Sequence, residues 1–328
     1  MQRRGVRNGK IRYYCKACCR SFFVNRSPKI SKTKFLIQHI DGTPFRKIAS
    51  QNNFSHMTAY RYCLDALKEL PHCADVTRSF CNRFSGILVL DGKFVKVKGY
   101  KAKIPVLYGI DYLTHDIPTY KLTVAENYQS VLLFFTSLKL LNYPLKVLVC
   151  DENPSFRDAC SYVYPKTPIQ LCQNHFKNNI KNSLDLRYNP KYLPFMADVK
   201  YLFLKRRSLQ EFDSIARKIL IKYQNDSLCT KIILDIQNKK PFLLAHLLEK
   251  NIPRTNNIIE SFNSHLQGRL ETIKGFESFS HADLWLNAFF LKRRFTKFTD
   301  CEGKFKHLNG RVPIQQTLKV GIDLPRIF

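Results

Sequence analysis

Three carboxylates stand where an acid is costly to place. Asp91 follows the apolar run Ile87, Leu88, Val89 and Leu90, and Asp151 follows a second, Val147–Cys150. Beyond Asp91, the residues Phe94, Val95 and Val97 interleave with Lys93, Lys96 and Lys98, the pattern of a strand buried at first and then half-buried with a basic outer face. Glu260 lies in a stretch with the look of a helix, between Ile258, Ile259 and Phe262. A carboxylate set at the end of a buried strand loses its hydration and needs a cation to compensate. Two strand-borne aspartates and a helix-borne glutamate therefore point to a divalent-metal site.

The charge says what such a site would act on. The chain of 328 residues carries 54 Lys and Arg against 25 Asp and Glu, a formal charge of +29. That excess goes beyond what solubility requires and fits a polyanionic partner, nucleic acid or an anionic membrane. A membrane span is not expected, since the longest apolar run, near residues 130–141, is short and broken by Lys139. Residues 1–12 are basic with no apolar core after them, so no secretory signal is read there. Eleven cysteines scattered through expected strands and helices do not resemble a disulfide framework, and a reducing, cytoplasmic compartment is expected. Apolar content of 45% supports real cores, and the length suits about two domains.

The elements needed to position the acids follow from periodicity. Residues 87–98, 104–112 and 117–124 read as an antiparallel meander, with Asp111 and Asp116 as turn residues. Residues 127–142 are apolar at helical spacing, then come the Asp151 strand, a helix at 154–164 and a short fifth strand at 169–172. That order is α/β, a ribonuclease-H-like mixed five-stranded sheet in which the first and fourth strands are neighbours, bringing Asp91 beside Asp151. A lysine-rich, glycine-free stretch at about 176–253 reads as an all-helical insertion before the Glu260 helix. An amphipathic helix at 282–298 ends in Lys292, Arg293 and Arg294. Basic runs at 205–207 and 292–294 are expected on solvated faces, some of them tracking DNA phosphate.

Ahead of this core, residues 31–70 read as three short helices, preceding a linker at about 71–84. Ile48 and Ala49, a turn, then Tyr60 and Leu64 form the apolar skeleton of a helix-turn-helix, with Ser55 as N-cap of the third helix. Its start would present His56, Thr58, Ala59 and Arg61 to a DNA groove. In residues 1–28, Cys15 and Cys18 have the spacing of half a zinc ribbon. The other half is missing, with only Cys19 or His39 as makeshift ligands, so the segment is expected to be vestigial and to hold no Zn2+. Cys172 and His175, taken alone, read as a core cysteine and a buried histidine, or half a metal site.

Together these residues resemble the DDE transposases, most closely the Mutator-like branch with its bacterial insertion-sequence relatives. The resemblance rests on the Val-Leu-Asp-Gly strand at Asp91 followed by Leu107, Tyr108, Gly109, Ile110 and Asp111. It rests also on Asp151 followed by a Cys-x-x-His motif at Cys172 and His175, and on the Asn256, Asn257, Glu260, Ser261, Phe262, Asn263 segment. It covers roughly residues 85–300. It implies an insertion-sequence transposase that binds element ends on double-stranded DNA and catalyses metal-dependent cleavage and strand transfer. It implies a catalytic domain at 85–300, a DNA-binding domain at 31–70 and a basic tail at 301–328. Asp91, Asp151 and Glu260 would be the catalytic and metal-binding triad for Mg2+, with Mn2+ as substitute. Asp91 would bridge two ions, and Cys172 and His175 would support the site. A homo-oligomer assembled on DNA, associated with the nucleoid, is expected; a decayed or domesticated DNA-binding protein is the alternative.

Overall fold

The computed structural model describes residues 1–7, 10–23, 32–204, 207–249 and 251–328. The chain opens with a small antiparallel sheet of β1 (Gln2–Arg7), β2 (Lys10–Cys15) and β3 (Arg20–Phe23), in that order and mostly exposed. Three helices follow: α1 (Lys32–Ile40), α2 (Phe45–Gln51) and α3 (His56–Lys68). Phe35, Ile48, Ala49, Ala59 and Cys63 form their small private core. The Ser55 hydroxyl accepts the Thr58 amide at 3.1 Å, capping α3 where the sequence places its start. The expected boundary between the first two segments, residues 28–31, lies outside the described residues, as do Lys205 and Arg206 of one basic run.

The stretch read as a linker contains a helix, α4 (Cys73–Phe80), with Cys73, Val76 and Thr77 buried. Its apolar positions are too few to be conspicuous in a polar octapeptide, and tertiary packing supplies the rest. Then come β4 (Ile87–Val95), β5 (Ile104–Asp111), β6 (Tyr120–Leu122), α5 (Tyr128–Leu140), β7 (Val147–Cys150), α6 (Pro154–Val163) and β8 (Ile169–Leu171). They form a five-stranded mixed sheet in the order β6-β5-β4-β7-β8. β4 is antiparallel to β5 and parallel to β7, so the first and fourth strands of this sheet are neighbours. β5 and β7, on either side of β4, are buried from end to end, as strands covered on both faces must be.

After β8 the chain is helical: α7 (Gln173–Ser183), α8 (Leu193–Leu202), α9 (Leu209–Lys222) and α10 (Ser227–Leu243). Phe195, Phe203, Phe212, Ile219, Ile233 and Ile236 fill the space between them. The far end of this excursion is tied back to the sheet edge. The side-chain amides of Gln170 and Gln173 both donate to the Leu243 carbonyl, at 3.0 and 2.9 Å. α11 (Asn257–Ile273) then packs across β4 and β5, and α12 (Phe279–Phe295) runs through the middle of the molecule.

From Trp285 to Leu291 α12 is buried all round, the mark of a helix covered on every side. Phe290 packs on Tyr108 and Tyr120 of the sheet, with ring centroids 5.0 and 4.9 Å apart. On the other side the Trp285 indole donates to the His39 carbonyl at 3.2 Å, and His39 stacks on His281. The three-helix unit is therefore seated on α12. Arg294, read as part of a solvated basic run, is fully buried. Its guanidinium grips Asp116 through two nitrogens at 2.7 and 2.8 Å and donates to Thr77 at 2.8 Å.

Asp111 and Asp116 are likewise buried anchors rather than simple turn residues. Asp111 accepts from Ser85, Gly86, Thr114 and Tyr143. Residues 301–328, read as a tail, pack back onto the core through α13 (Pro313–Thr317), where the Thr317 hydroxyl donates to Asp116 at 2.6 Å. Among the described residues no helix is long and apolar enough to cross a membrane.

Candidate active site

The parallel register of β4 and β7 pairs Val89 with Val149. Asp91 and Asp151 each lie two residues beyond that last pair, at the same end of the pairing between two adjacent parallel strands, and the Asp151 charge is felt at Asp91. Asp91 is held from both sides. Its Oδ1 accepts the Gly92 amide at 2.8 Å and its Oδ2 accepts the Asn263 side chain at 2.7 Å, which in turn accepts the Tyr108 hydroxyl at 2.5 Å. Because Asn263 lies one turn after Glu260, the contact that orients Asp91 also fixes the helix that carries the glutamate. Asp151 accepts the Asn153 amide at 3.0 Å.

Burial is the main reason the Asp91 carboxyl is pushed up to about 6. The Gly92 amide opposes it, the Asp151 and Glu260 charges add to it, and His175 offsets part of it. Asp151, Glu260 and His175 thus all act on Asp91. Among the described residues, no lysine or arginine is ion-paired with Asp91, Asp151 or Glu260.

Glu260, in the first turn of α11, faces His175 instead, with 3.5 Å between Oε1 and Nε2. His175 is pushed up to about 9, first by its hydrogen bond to Cys172 and then by the charges of Cys172, Glu260 and Asp151, against burial. The ligand atoms of Cys172, His175 and Glu260 lie within 4.8 Å of one another, a spacing that the three carboxylates as a set do not meet. Hard oxygen donors such as these carboxylates fit a hard dication such as Mg2+.

Residues 73–284 match the family described as "Transposase, Mutator family". The chain belongs to that family. It is the transposase of an insertion sequence, an enzyme that cuts and joins DNA. No curated protein matches it. Among solved structures it is similar to the Drosophila P element transposase strand transfer complex, at 13% identity over 89% of this chain and 90% of that one, with a TM-score of 0.33. It is similar also to a pre-cleavage Mos1 transpososome, at 13% identity over 68% and 79%, with a TM-score of 0.20. Scores this low add nothing to the family assignment.

The transposase has a fourth carboxylate at this site that the sequence reading passed over. Glu126, between β6 and α5, accepts the Asn153 side chain at 3.1 Å, and burial together with Asp151 and Asp91 raises its carboxyl. A Cβ on Gly92 would lie 3.0 Å from its Oε1, so the glycine after Asp91 makes room for this acid. No sequence pattern marks Glu126, which ends the connecting stretch Thr123–Glu126 just before the α5 N-cap Asn127.

At the N-terminus, His56 and Arg61 of α3 are exposed and Thr58 is half-buried. Ala59 was expected to face a groove but is 0% exposed, because it shares the inward stripe of α3 with Cys63 and Ala66. Exposed Met57 occupies the outer position instead. Cys15 ends β2, and its thiol is lowered chiefly by hydrogen bonding from the Cys18 amide. His39 is buried against His281 and is not available as a makeshift ligand.

Proposed function

We propose that Asp91, Asp151 and Glu260 are the DDE triad of this transposase, on a ribonuclease-H-like sheet within a catalytic domain at residues 85–300. The helices between about 176 and 253 would be an insertion in that domain. The observation that supports this most is the parallel register, which sets two acids side by side at the ends of adjacent strands with no lysine or arginine paired to either. Asp91, Asp151 and Glu260 would hold the Mg2+ ions, with Mn2+ as substitute. Bound there, the ions would neutralise charge on the attacking and leaving oxygens of an in-line displacement.

The residues have their own tasks. Gly92 and Asn263 fix both oxygens of Asp91, so its outward lone pairs are aimed before substrate arrives. Tyr108 locks the Asn263 amide. The Asn153 amide does the same for Asp151. His175, cationic at neutral pH, holds Glu260 and adds positive charge where a phosphodiester would sit. In the first step water replaces the 3′-oxygen at the element end, and that oxygen leaves as a 3′-hydroxyl. In the second, the same hydroxyl replaces a 3′-oxygen of target DNA.

End recognition is assigned to residues 31–70 as a helix-turn-helix, with His56, Thr58 and Arg61 toward the groove. Assembly on two element ends would make the working form an oligomer. The test is incubation of the full chain with DNA bearing its own element ends, with and without Mg2+. The expected result is metal-dependent nicking and strand transfer, lost in Asp91→Asn, Asp151→Asn and Glu260→Gln. Cleavage surviving in any of the three removes that residue from the triad.

A further inference from the structure

Cys172 and His175 have a geometry that supporting the triad does not explain. Cys172 is 0% exposed and is the N-cap residue of α7. His175 is one turn on, and Glu260 approaches from α11. The two helix starts are joined: Asn174 donates to Asn257 at 3.2 Å, and the Gln173 amide donates to the Arg254 carbonyl at 2.9 Å.

The arrangement has the parts of a metal site with one open position. Three ligands of three kinds, sulfur, nitrogen and oxygen, lie within 4.8 Å of one another. Two ligands on one tetrahedral Zn2+ stand roughly 3.3 Å apart, given bonds of about 2.0–2.2 Å. The 3.5 Å between His175 Nε2 and Glu260 Oε1 is close to that. A second observation points the same way. Asn256 is 0% exposed, its Oδ1 has no hydrogen-bond partner, and its Nδ2 lies 3.4 Å from His175 Nδ1. Turning that amide over sets Oδ1 against Nδ1–H, which satisfies the orphaned oxygen and frees the Nε2 lone pair. A ligating histidine ordinarily makes such an outer hydrogen bond.

We propose that Cys172, His175 and Glu260 form a site for a thiolate-preferring dication, Zn2+, that draws Glu260 away from Asp91 and Asp151 and so holds the transposase inactive. The mixed sulfur and nitrogen set selects Zn2+ over Mg2+. Binding displaces the Cys172 thiol proton and any proton on His175 Nε2, and water completes the fourth position. The existence of the site is independent of the triad; its inhibitory effect rests on Glu260 being catalytic.

The test uses the full chain carrying Cys15→Ser, Cys18→Ser and Cys19→Ser, so that the N-terminal thiols do not contribute. Co2+ is the probe, because thiolate-bound tetrahedral Co2+ shows a charge-transfer band that carboxylate-bound Co2+ lacks. One equivalent should produce that band, Zn2+ should displace it, and adding Cys172→Ser should abolish it. No band, or a band that survives Cys172→Ser, overturns the site. Asp91→Asn should keep the band, since Asp91 is not one of the ligands. Cleavage at saturating Mg2+ should fall at least tenfold as Zn2+ fills the site; an unchanged rate with the site filled overturns the inhibitory half. A chain with the band but no Mg2+-dependent cleavage at all refutes the triad and leaves the Zn2+ site standing.

Discussion

Replacing Asp91 by Asn should make the ion-free protein more stable, which is the opposite of what removing a buried structural acid would do. The Asp91 carboxyl is pushed from its ordinary 3.8 to about 6, chiefly by burial. Between those values the folded chain holds a proton that the unfolded chain has released, so stability falls as pH rises through that window. Two units at about 1.4 kcal/mol each place the cost of the ionised group at no more than about 3 kcal/mol above pH 6. Asn keeps the shape and can still accept the Gly92 amide. Asn263 can turn its own amide, since the Tyr108 hydroxyl accepts as readily as it donates. The difference between variant and wild type should therefore be largest at pH 8 and vanish near pH 4. Groups that do not feel Asp91 are common to both chains and cancel, while Glu126, whose carboxyl the Asp91 charge raises, changes in the same stabilising direction. Mn2+ at a hundred times its dissociation constant should return about 2.7 kcal/mol to the wild type and much less to the variant. The assay is a set of melting curves from pH 4 to 8, with and without Mn2+. An ion-free variant less stable than wild type at pH 8 would refute the reasoning, making Asp91 a structural anchor.

Other outcomes follow from the same geometry. Glu126→Gln can keep the Asn153 hydrogen bond yet should raise the Mn2+ concentration for half-maximal activity about tenfold, roughly 1.4 kcal/mol; an unchanged requirement would leave Glu126 only a partner of Asn153. His39 and His281 are held at about 3 and about 4, mainly by burial, so the fold favours their neutral forms and loses stability as pH drops below about 6.5. By pH 5 each should cost about 2 kcal/mol. The single tryptophan, Trp285, bonds to His39 and should report the loss, whereas constant emission and melting from pH 7 to 5 would contradict it. Arg61→Ala with His56→Ala should reduce preference for element ends over random DNA. Salt-sensitive affinity should largely persist, with a log–log slope of about −0.9 per phosphate contacted, and an unchanged preference would count against the helix-turn-helix.

The strand-borne acids were legible because a central strand shows its burial as an uninterrupted apolar run, so Asp91 and Asp151 each stand out at a run's end. The Glu260 helix showed for a related reason: its inward residues, Ile259, Phe262 and Leu266, keep helical spacing. Glu126 was not legible, because it lies in a connecting stretch and matters only through what the fold brings against it, Gly92 and Asn153. Asp116 and Arg294 were misread for the opposite reason. Charged residues in a turn and in a basic run look solvated, and only the tertiary fold buries them together. Ala59 fell to a smaller error, in which the start of a helix was taken as one outward face although its inward stripe begins there too.

The seating of the first three helices on α12 has a geometric consequence. Trp285, His281 and Phe45 tie α1 and α2 to the same helix that lines the sheet, and α3 packs against that helix as well. A duplex held by α3 would meet the carboxylates of the same chain at one fixed reach. The distance from bound sequence to any bond cut in cis would then be a ruler built into the protein. Inserting a few base pairs in that DNA would move the bond off the mark, around the helix axis as well as along it.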